Sequence, residues 1–563
     1  MTGGTADLST AGTVAEGLLA LLKARGVDYL FANAGTDFPD ILEAYARAPQ
    51  TALALPAPVA VPHEHAALSM AHGHYLMSGQ PQAAMVHVSV GLANSLCGLM
   101  NAARENVPIF MMAGRTPLTE EGSAASRDVS IHWGQEMYDQ AGMLREVVKW
   151  DYELRTAGQL ATLVDRALSL ALSDPMGPVY LGLPRKVLGA AIDAAALKRA
   201  RPMAPARLDG IDGAAIDEVA ALIAGAECPL IITGRAGRDA EAVPALADFA
   251  IRAAVPVVEY RPNYMNLPDD HPMHAGFDFT DAFAAADLVI VLDTPAPWLP
   301  ARHHWPRDAR VVQIGVDPLA AGIPVRGFPA DLTIAARPAA VLRQLTEALA
   351  GHGEGGRTAS RRAVTAGAAA RPPLPQEAPP TMTRAWASAC LSQAKAADTV
   401  IVNELGALRP LLRFSAPGTF FGPSNADGLG WALPASLGMK LAAPDRLVVA
   451  CVGDGSYMFA NPVACHQVAM AQGLATLTLV FNNRRWEAVR TAALSVYPDG
   501  ATARANEPAL VALEPSPAFE EVARACGLHG EAVADPTALP GVLARAIERV
   551  RSGEPVLLNI LID

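Results

Sequence analysis

Only six cysteines (Cys97, Cys228, Cys390, Cys451, Cys465 and Cys526) are scattered through 563 residues. None pairs as CxxC, which excludes a disulfide framework and a thiolate zinc site; they read as reduced, mostly buried thiols. Positive charge is also short. With 44 Lys and Arg against 56 Asp and Glu, the formal net charge is −12, so a nucleic-acid partner, which needs a basic face, is not expected. No apolar run approaches the eighteen or so residues of a membrane span. The opening MTGGTADLSTAG lacks the basic and apolar stretches of a leader, so the expectation is a cytoplasmic protein without a membrane partner.

What is abundant is apolar surface. Half of the residues are hydrophobic and only 18% are charged, as in large α/β enzymes whose parallel strands are covered on both faces. The length suggests about three or four units. Helix-like and strand-like stretches alternate in VAEGLLALLKARG (14–26), DYLFANAG (28–35) and AAMVHVSVG (83–91), which predicts βαβ units through GPVYLGLPRKVL (177–188). A second alternating region covers 214–237, DLVIVLDTP (287–295) and ARVVQIGVDP (309–318). A third covers TVIVNELG (399–406), RLVVACVGDGS (446–456), ATLTLVFNN (475–483) and PVLLNILID (555–563). Between them, residues 351–380 combine Gly, Ala and Pro with almost no large apolar side chain and read as linker. The expected fold is α/β, three doubly wound parallel-sheet domains at 1–190, 205–347 and 381–563, with a linker at 348–380.

The sharpest motif is GDGS, Gly453, Asp454, Gly455 and Ser456, directly after the strand VVACV and followed by Asn482 and Asn483, 28 and 29 residues beyond the aspartate. A strand that ends at a helix start offers unpaired N–H groups and the positive end of the helix dipole, and glycines let the chain approach phosphates closely. Aspartate and asparagine are hard oxygen ligands suited to magnesium rather than zinc. Alone, GDG is an ordinary tight turn and NN a strand-end cap. The joint spacing is more specific.

This pattern resembles the signature of the thiamine-diphosphate enzymes in the acetolactate synthase, pyruvate decarboxylase and benzoylformate decarboxylase superfamily, and the resemblance extends over the whole chain. It implies thiamine diphosphate and Mg2+ as cofactors, with Asp454, Asn483 and the carbonyl of Arg485 as metal ligands. Asn483 is preferred to Asn482. It also implies a glutamate against the aminopyrimidine ring: Glu64, in VPHEHAALSMAHGHYLMSG (61–79), occupies that place. By itself Glu64 is an ordinary helix-start glutamate. In NADGLGWALP (425–434) the resemblance makes Leu429 the wedge that bends the cofactor, beside Gly428, with the carbonyl of Asp427 accepting from its amino group. Decarboxylases often have glycine at the Asp427 position. Since the family divides its cofactor between two subunits, a homodimer or homotetramer is expected.

For substrate, HVSVGLANSLCGL (87–99) resembles the benzoylformate decarboxylase branch, where the histidine faces the reacting carbonyl, making His87 a candidate proton relay. Its plain alternative is an inert strand-end histidine. In FANAGTDFPD (31–40), Thr36 stands where that branch has serine and either binds a carboxylate or caps a helix. His303 and His304 are weaker candidates. IHWGQEMYDQ (131–140), with Arg145 and Lys149 beyond, resembles the stretch lining the entrance in acetolactate synthase-like proteins; its alternative is a solvated amphipathic helix. GRAG (234–237) is a short turn and not a GxGxxG fingerprint, so FAD is not supported. The expected activity is non-oxidative decarboxylation and/or carboligation of a 2-oxo acid, acting on a small-molecule 2-oxo acid or aldehyde. A 2-hydroxyacyl-CoA lyase and a catalytically silent cofactor-binding paralogue are the alternatives.

Overall fold

The computed structural model describes residues 8–208, 210–304, 308–350, 361, 372–505 and 508–563. Three parallel sheets follow one another along the chain. The first comprises β1 (Tyr29–Ala32), β2 (Ala57–Ala60), β3 (Gln82–Val86), β4 (Ile109–Arg115), β5 (Asp151–Glu153) and β6 (Val179–Pro184) in the order β2-β1-β3-β4-β6-β5. The second comprises β7 (Pro229–Thr233), β8 (Val257–Glu259), β9 (Leu288–Leu292), β10 (Arg310–Gly315) and β11 (Leu332–Ala335), ordered β11-β10-β9-β7-β8. The third comprises β12 (Val400–Glu404), β13 (Phe420–Phe421), β14 (Val448–Gly453), β15 (Leu477–Asn482), β16 (His529–Val533) and β17 (Val556–Leu561), ordered β13-β12-β14-β15-β17-β16. Its topology repeats that of the first.

Local chemistry starts the elements where the sequence changes period. The helix Val14–Ala24 begins with a capping box: Thr13 Oγ1 accepts from Glu16 N–H (3.3 Å), and the Glu16 carboxylate accepts from Thr13 N–H (3.2 Å). The histidine-bearing HVSV stretch departs from the strand expectation. β3 ends at Val86, where its pairing with β4 stops at Val86–Ala113, and a helix runs from Val88 to Arg104. Alternation of apolar and polar residues over so few positions does not distinguish a strand end from a helix start. Of the thiols, Cys390, Cys451 and Cys465 are buried, whereas Cys97 and Cys228 are exposed.

The first and third sheets share one apolar core. Residues of the helix Glu64–Ser78 (Ala67, Met70, Ala71) and of the helix Ala432–Ala442 (Leu433, Ala435, Met439) belong to the same buried cluster. Two glycines allow the backbones to touch: a Cβ on Gly73 would lie 2.1 Å from the Ala435 carbonyl oxygen, and one on Gly438 would lie 2.0 Å from that of Met70. The second domain is pinned to the third by charge. Arg409 pairs with Glu259 (2.9 Å) and Asp269 (3.2 Å), and its guanidinium lies over Phe277, Phe414 and Phe420. Of the expected linker, 351–360 and 362–371 lie outside the described residues; Arg361 is buried and donates to the carbonyls of Ile223 (2.9 Å) and Ala253 (3.3 Å).

The helix contact predicts that Gly73→Ala lowers stability by about 1–3 kcal/mol in urea unfolding, since overpacking forces the two backbones apart. Gly158→Ala, where a Cβ meets nothing within 4 Å, is expected to stay within about 0.5 kcal/mol of the parent. Equal effects would contradict this packing.

Candidate active site

Glu64 is the first residue of the helix that follows β2 and is only 7% exposed. Asn94 Nδ2 donates to its Oε2 (3.2 Å), and a Cβ on Gly91 would lie 3.3 Å from its Oε1. Gly91 N–H in turn donates to the His87 carbonyl (2.7 Å). The first turn of the helix Val88–Arg104 therefore brings Glu64 and His87 to one place. His87 Nδ1 lies 2.5 Å from Asp37 Oδ1, and Gln135 Nε2 lies 3.2 Å from His87 Nε2. The Asp37 carboxylate holds His87 above the ordinary imidazole value against the opposing effect of burial, and Glu64 adds in the same direction.

The other expected residues near this place separate. Thr36 is exposed, and the helix Pro39–Thr51 begins after Phe38 with no side-chain cap, so Thr36 does not cap it. Its neighbour Asp37 is the buried residue. The segment 131–140 is no solvated amphipathic helix: only Ile131–Gly134 is helical, Gln135 turns to His87, Glu136 pairs with Arg115 (2.8 Å), and Gln140 donates to Tyr180 (2.9 Å). Arg145 pairs with Asp139 and Asp151 on the surface, and Lys149 donates to the carbonyls of Leu170 and Ser173. His303 accepts from Leu299 N–H (2.9 Å) and packs against Phe279 and Tyr260 within the second domain; His304 is exposed beside it.

In the third domain Gly453 precedes the short helix Asp454–Phe459. Asp454 and Ser456 are buried, and a Cβ on Gly455 would collide with the Trp486 ring. Asp454 accepts from the N–H groups of Gly455 (2.8 Å) and Arg484 (2.7 Å), and no cationic side chain among the described residues pairs with it. Burial pushes its carboxyl up. The two asparagines differ. Asn482 is spent on structure, donating to Asn559 (3.2 Å) and Ser516 (3.1 Å) and accepting from Arg484 N–H (3.1 Å). Asn483 is half-buried, and the one hydrogen bond its side chain makes among the described residues is a 3.3 Å bond accepted from Arg485 N–H. The Arg485 carbonyl accepts from Glu487 N–H (3.0 Å).

The turn before the helix Ala432–Ala442 is held from the first domain. Asn101 donates to the Gly428 carbonyl (2.8 Å) and accepts from Gly428 N–H (3.0 Å), and Glu105 accepts from Asn425 N–H (3.1 Å). Asp427 has φ +49°. That left-handed backbone explains why glycine suits the position and why aspartate, one of the few residues that tolerate it, can replace glycine. Its carbonyl has no donor among the described residues. Leu429, half-buried, follows. Among the described residues no hydrogen bond or ion pair joins Glu64 or His87 to Asp454 or Asn483.

Profiles of the thiamine pyrophosphate enzyme match in chain order: the N-terminal TPP binding domain over residues 12–143, the central domain over 216–345 and the C-terminal TPP binding domain over 405–560. The chain belongs to the thiamine-diphosphate-dependent enzymes. It is 26% identical to a sulfoacetaldehyde acetyltransferase of Rhodobacter capsulatus, covering 98% of this chain and 94% of that protein. It is 25% identical to a benzoylformate decarboxylase of Pseudomonas aeruginosa, covering 79% and 81%. A 4-hydroxybenzoylformate decarboxylase of Rhodococcus jostii shares the fold, with a TM-score of 0.80 at 22% identity over 98% of this chain and 99% of that one. Within this superfamily the cofactor is thiamine diphosphate, and the residues fit it. A buried carboxylate without a cationic partner at the head of a helix suits a metal-bound diphosphate, and the open Asp427 carbonyl and the Gly428 cradle suit the rest.

Two buried acids escaped the sequence reading. Asp37 carries no motif. Glu404, the last residue of β12, accepts from the N–H groups of Gly430 and Ala432, each at 2.6 Å, and so anchors the same turn. Burial pushes its carboxyl up to about 7, the backbone donors only partly offsetting it. Because this folded value lies above the ordinary glutamate value, the folded state holds the proton that the unfolded chain releases, and stability is lost as pH rises through about 7. Between pH 5.5 and 8 this group is expected to lower the stability seen in urea unfolding by about 2 kcal/mol, a loss removed in Glu404→Gln. An identical pH slope in that variant would refute the assignment.

Proposed function

We propose that this thiamine-diphosphate enzyme decarboxylates a 2-oxo acid without oxidation and releases an aldehyde or joins the product to a second carbonyl compound. The observation that carries the reading is the meeting of buried Glu64 with His87 at the first turn of one helix. Bound thiamine diphosphate supplies a carbon nucleophile and an electron sink. Glu64 is placed to hold a proton at the aminopyrimidine, and His87 to give or take one at the substrate. Asp454, Asn483 and the Arg485 carbonyl are assigned to Mg2+, Gly453, Gly455 and Ser456 to the diphosphate, and Asp427, Gly428 and Leu429 to the middle of the cofactor.

A two-chain site is part of the proposal. Exposed apolar residues recur on corresponding helices: Val90 (49%) and Met100 (41%) in the first domain, and Phe459 (55%) and Val463 (61%) after β14 in the third. Such surfaces favour association. A homodimer or homotetramer would bring the Glu64 side of one chain to the Asp454 side of another. Thr36, exposed beside Asp37, is available to a substrate carboxylate.

The test is carbon dioxide release and product analysis with pyruvate and benzoylformate, with sulfoacetaldehyde as the third arm because of the acetyltransferase relative. Turnover of a 2-oxo acid is expected, falling by about 10²–10⁴-fold in Glu64→Gln. Turnover of sulfoacetaldehyde alone would overturn the reading. The asparagines should also part: Asn483→Ala weakens Mg2+-dependent cofactor binding with little change in stability, whereas Asn482→Ala lowers stability by about 1–3 kcal/mol. Calorimetric titration and unfolding measure the two effects.

A further inference from the structure

We propose that Asp37 is a positioning residue for His87, fixing its Nδ1–H tautomer so that Nε2 is the nitrogen that exchanges a proton with substrate, with Gln135 facing Nε2 in either protonation state. The proposal deepens the reading of His87 above and rests on it. Its basis is a built cradle. A Cβ on Gly35 would lie 2.1 Å from His87 Nδ1, and one on Gly114 would lie 2.0 Å from Asp37 Oδ2, so two glycines make room for the carboxylate and the imidazole to meet. Asp37 is buried, and its second oxygen accepts from Val88 N–H (3.3 Å). Val88 is held at φ +28°, an unusual value for a β-branched residue that the neighbouring contacts must sustain.

With Nδ1–H committed to Asp37, His87 Nε2 alone remains for chemistry. The Gln135 side chain presents a nitrogen there at 3.2 Å, while its oxygen is buried without a hydrogen-bond partner among the described residues. Turned over, the amide would present that oxygen to a protonated Nε2, so one side chain serves both states. Asp37 acts through His87 and neither gives up nor keeps the proton. The imidazolium breaks its Nε2–H bond to form a new bond at the substrate atom that gains electron density, is left as neutral Nδ1–H imidazole against Asp37, and regains a proton from water. The charged and titratable groups facing His87 are Asp37 from the loop after β1, Glu64 from the helix after β2, and His132 from the short helix before Gln135.

The experiment titrates the holoenzyme with labelled histidine, bound to thiamine diphosphate and Mg2+, by nitrogen-detected NMR; the His87 signal is assigned by its loss in His87→Gln. In the parent, His87 is expected to titrate above the usual imidazole value of about 6.5 and to be Nδ1–H when neutral. In Asp37→Asn and Asp37→Ser the midpoint should fall by at least about one pH unit and the neutral form should shift toward Nε2–H. Where a 2-oxo acid is turned over, kcat/KM should fall on the order of 10–100-fold above neutral pH and much less at pH 5.5. An unchanged midpoint and tautomer in both variants overturns the proposal. The NMR shift without turnover of any 2-oxo acid supports the pairing, and that failure falls on the functional reading alone.

Discussion

The structure depends on the close approach of two helices, Glu64–Ser78 and Ala432–Ala442, through Gly73 and Gly438. A side chain at either glycine would strike backbone, so the first and third sheets sit at a separation that only these residues permit. From that contact follows the placement of the segment 424–432, which Asn101 and Glu105 of the first domain grip by main-chain bonds and Glu404 anchors from below. Since this segment carries the residues assigned to the centre of the cofactor, packing in the interior determines where the surface chemistry is presented.

The repeated strand order gives the two outer domains related surfaces with different chemistry. In the first, the helix after β2 begins with Glu64 and the helix after β3 follows His87. In the third, the helix after β14 begins with Asp454. On the proposed assignment one domain offers proton chemistry and the other the carboxylate assigned to Mg2+. The GRAG turn of the second domain serves docking and packing: Arg235 donates to Asn106 of the first domain (2.7 Å), and Gly237 lies tight against Met265 within its own domain.

What the sequence disclosed follows from burial. Strands such as β12, β14 and β15, covered on both faces, read as continuous apolar runs, and the GDGS and NN spacing survived because both ends lie at strand carboxyl termini. Edge strands did not: β5 is the half-buried DYE and β16 the mixed HGEAV, with no period to detect. Asp37 and Glu404 were hidden for another reason. Each is a buried acid whose partners, His87 and the 430–432 main chain, lie far away in sequence, and no local pattern marks such a pairing. The preference for Asn483 over Asn482 came from the resemblance, and only the cross-strand bond of Asn482 to Asn559 gives it a physical reason.

The account holds that the proton-handling and metal-binding halves of one site lie on different chains. Mixing Glu64→Gln with Asp454→Asn tests this directly after subunit exchange. Each parent is expected to be inactive, and random reassortment should restore about a quarter of wild-type turnover, because a mixed dimer pairs the intact Glu64 of one chain with the intact Asp454 of the other. No recovery, with exchange confirmed by mass spectrometry of the mixed species, would contradict the shared site.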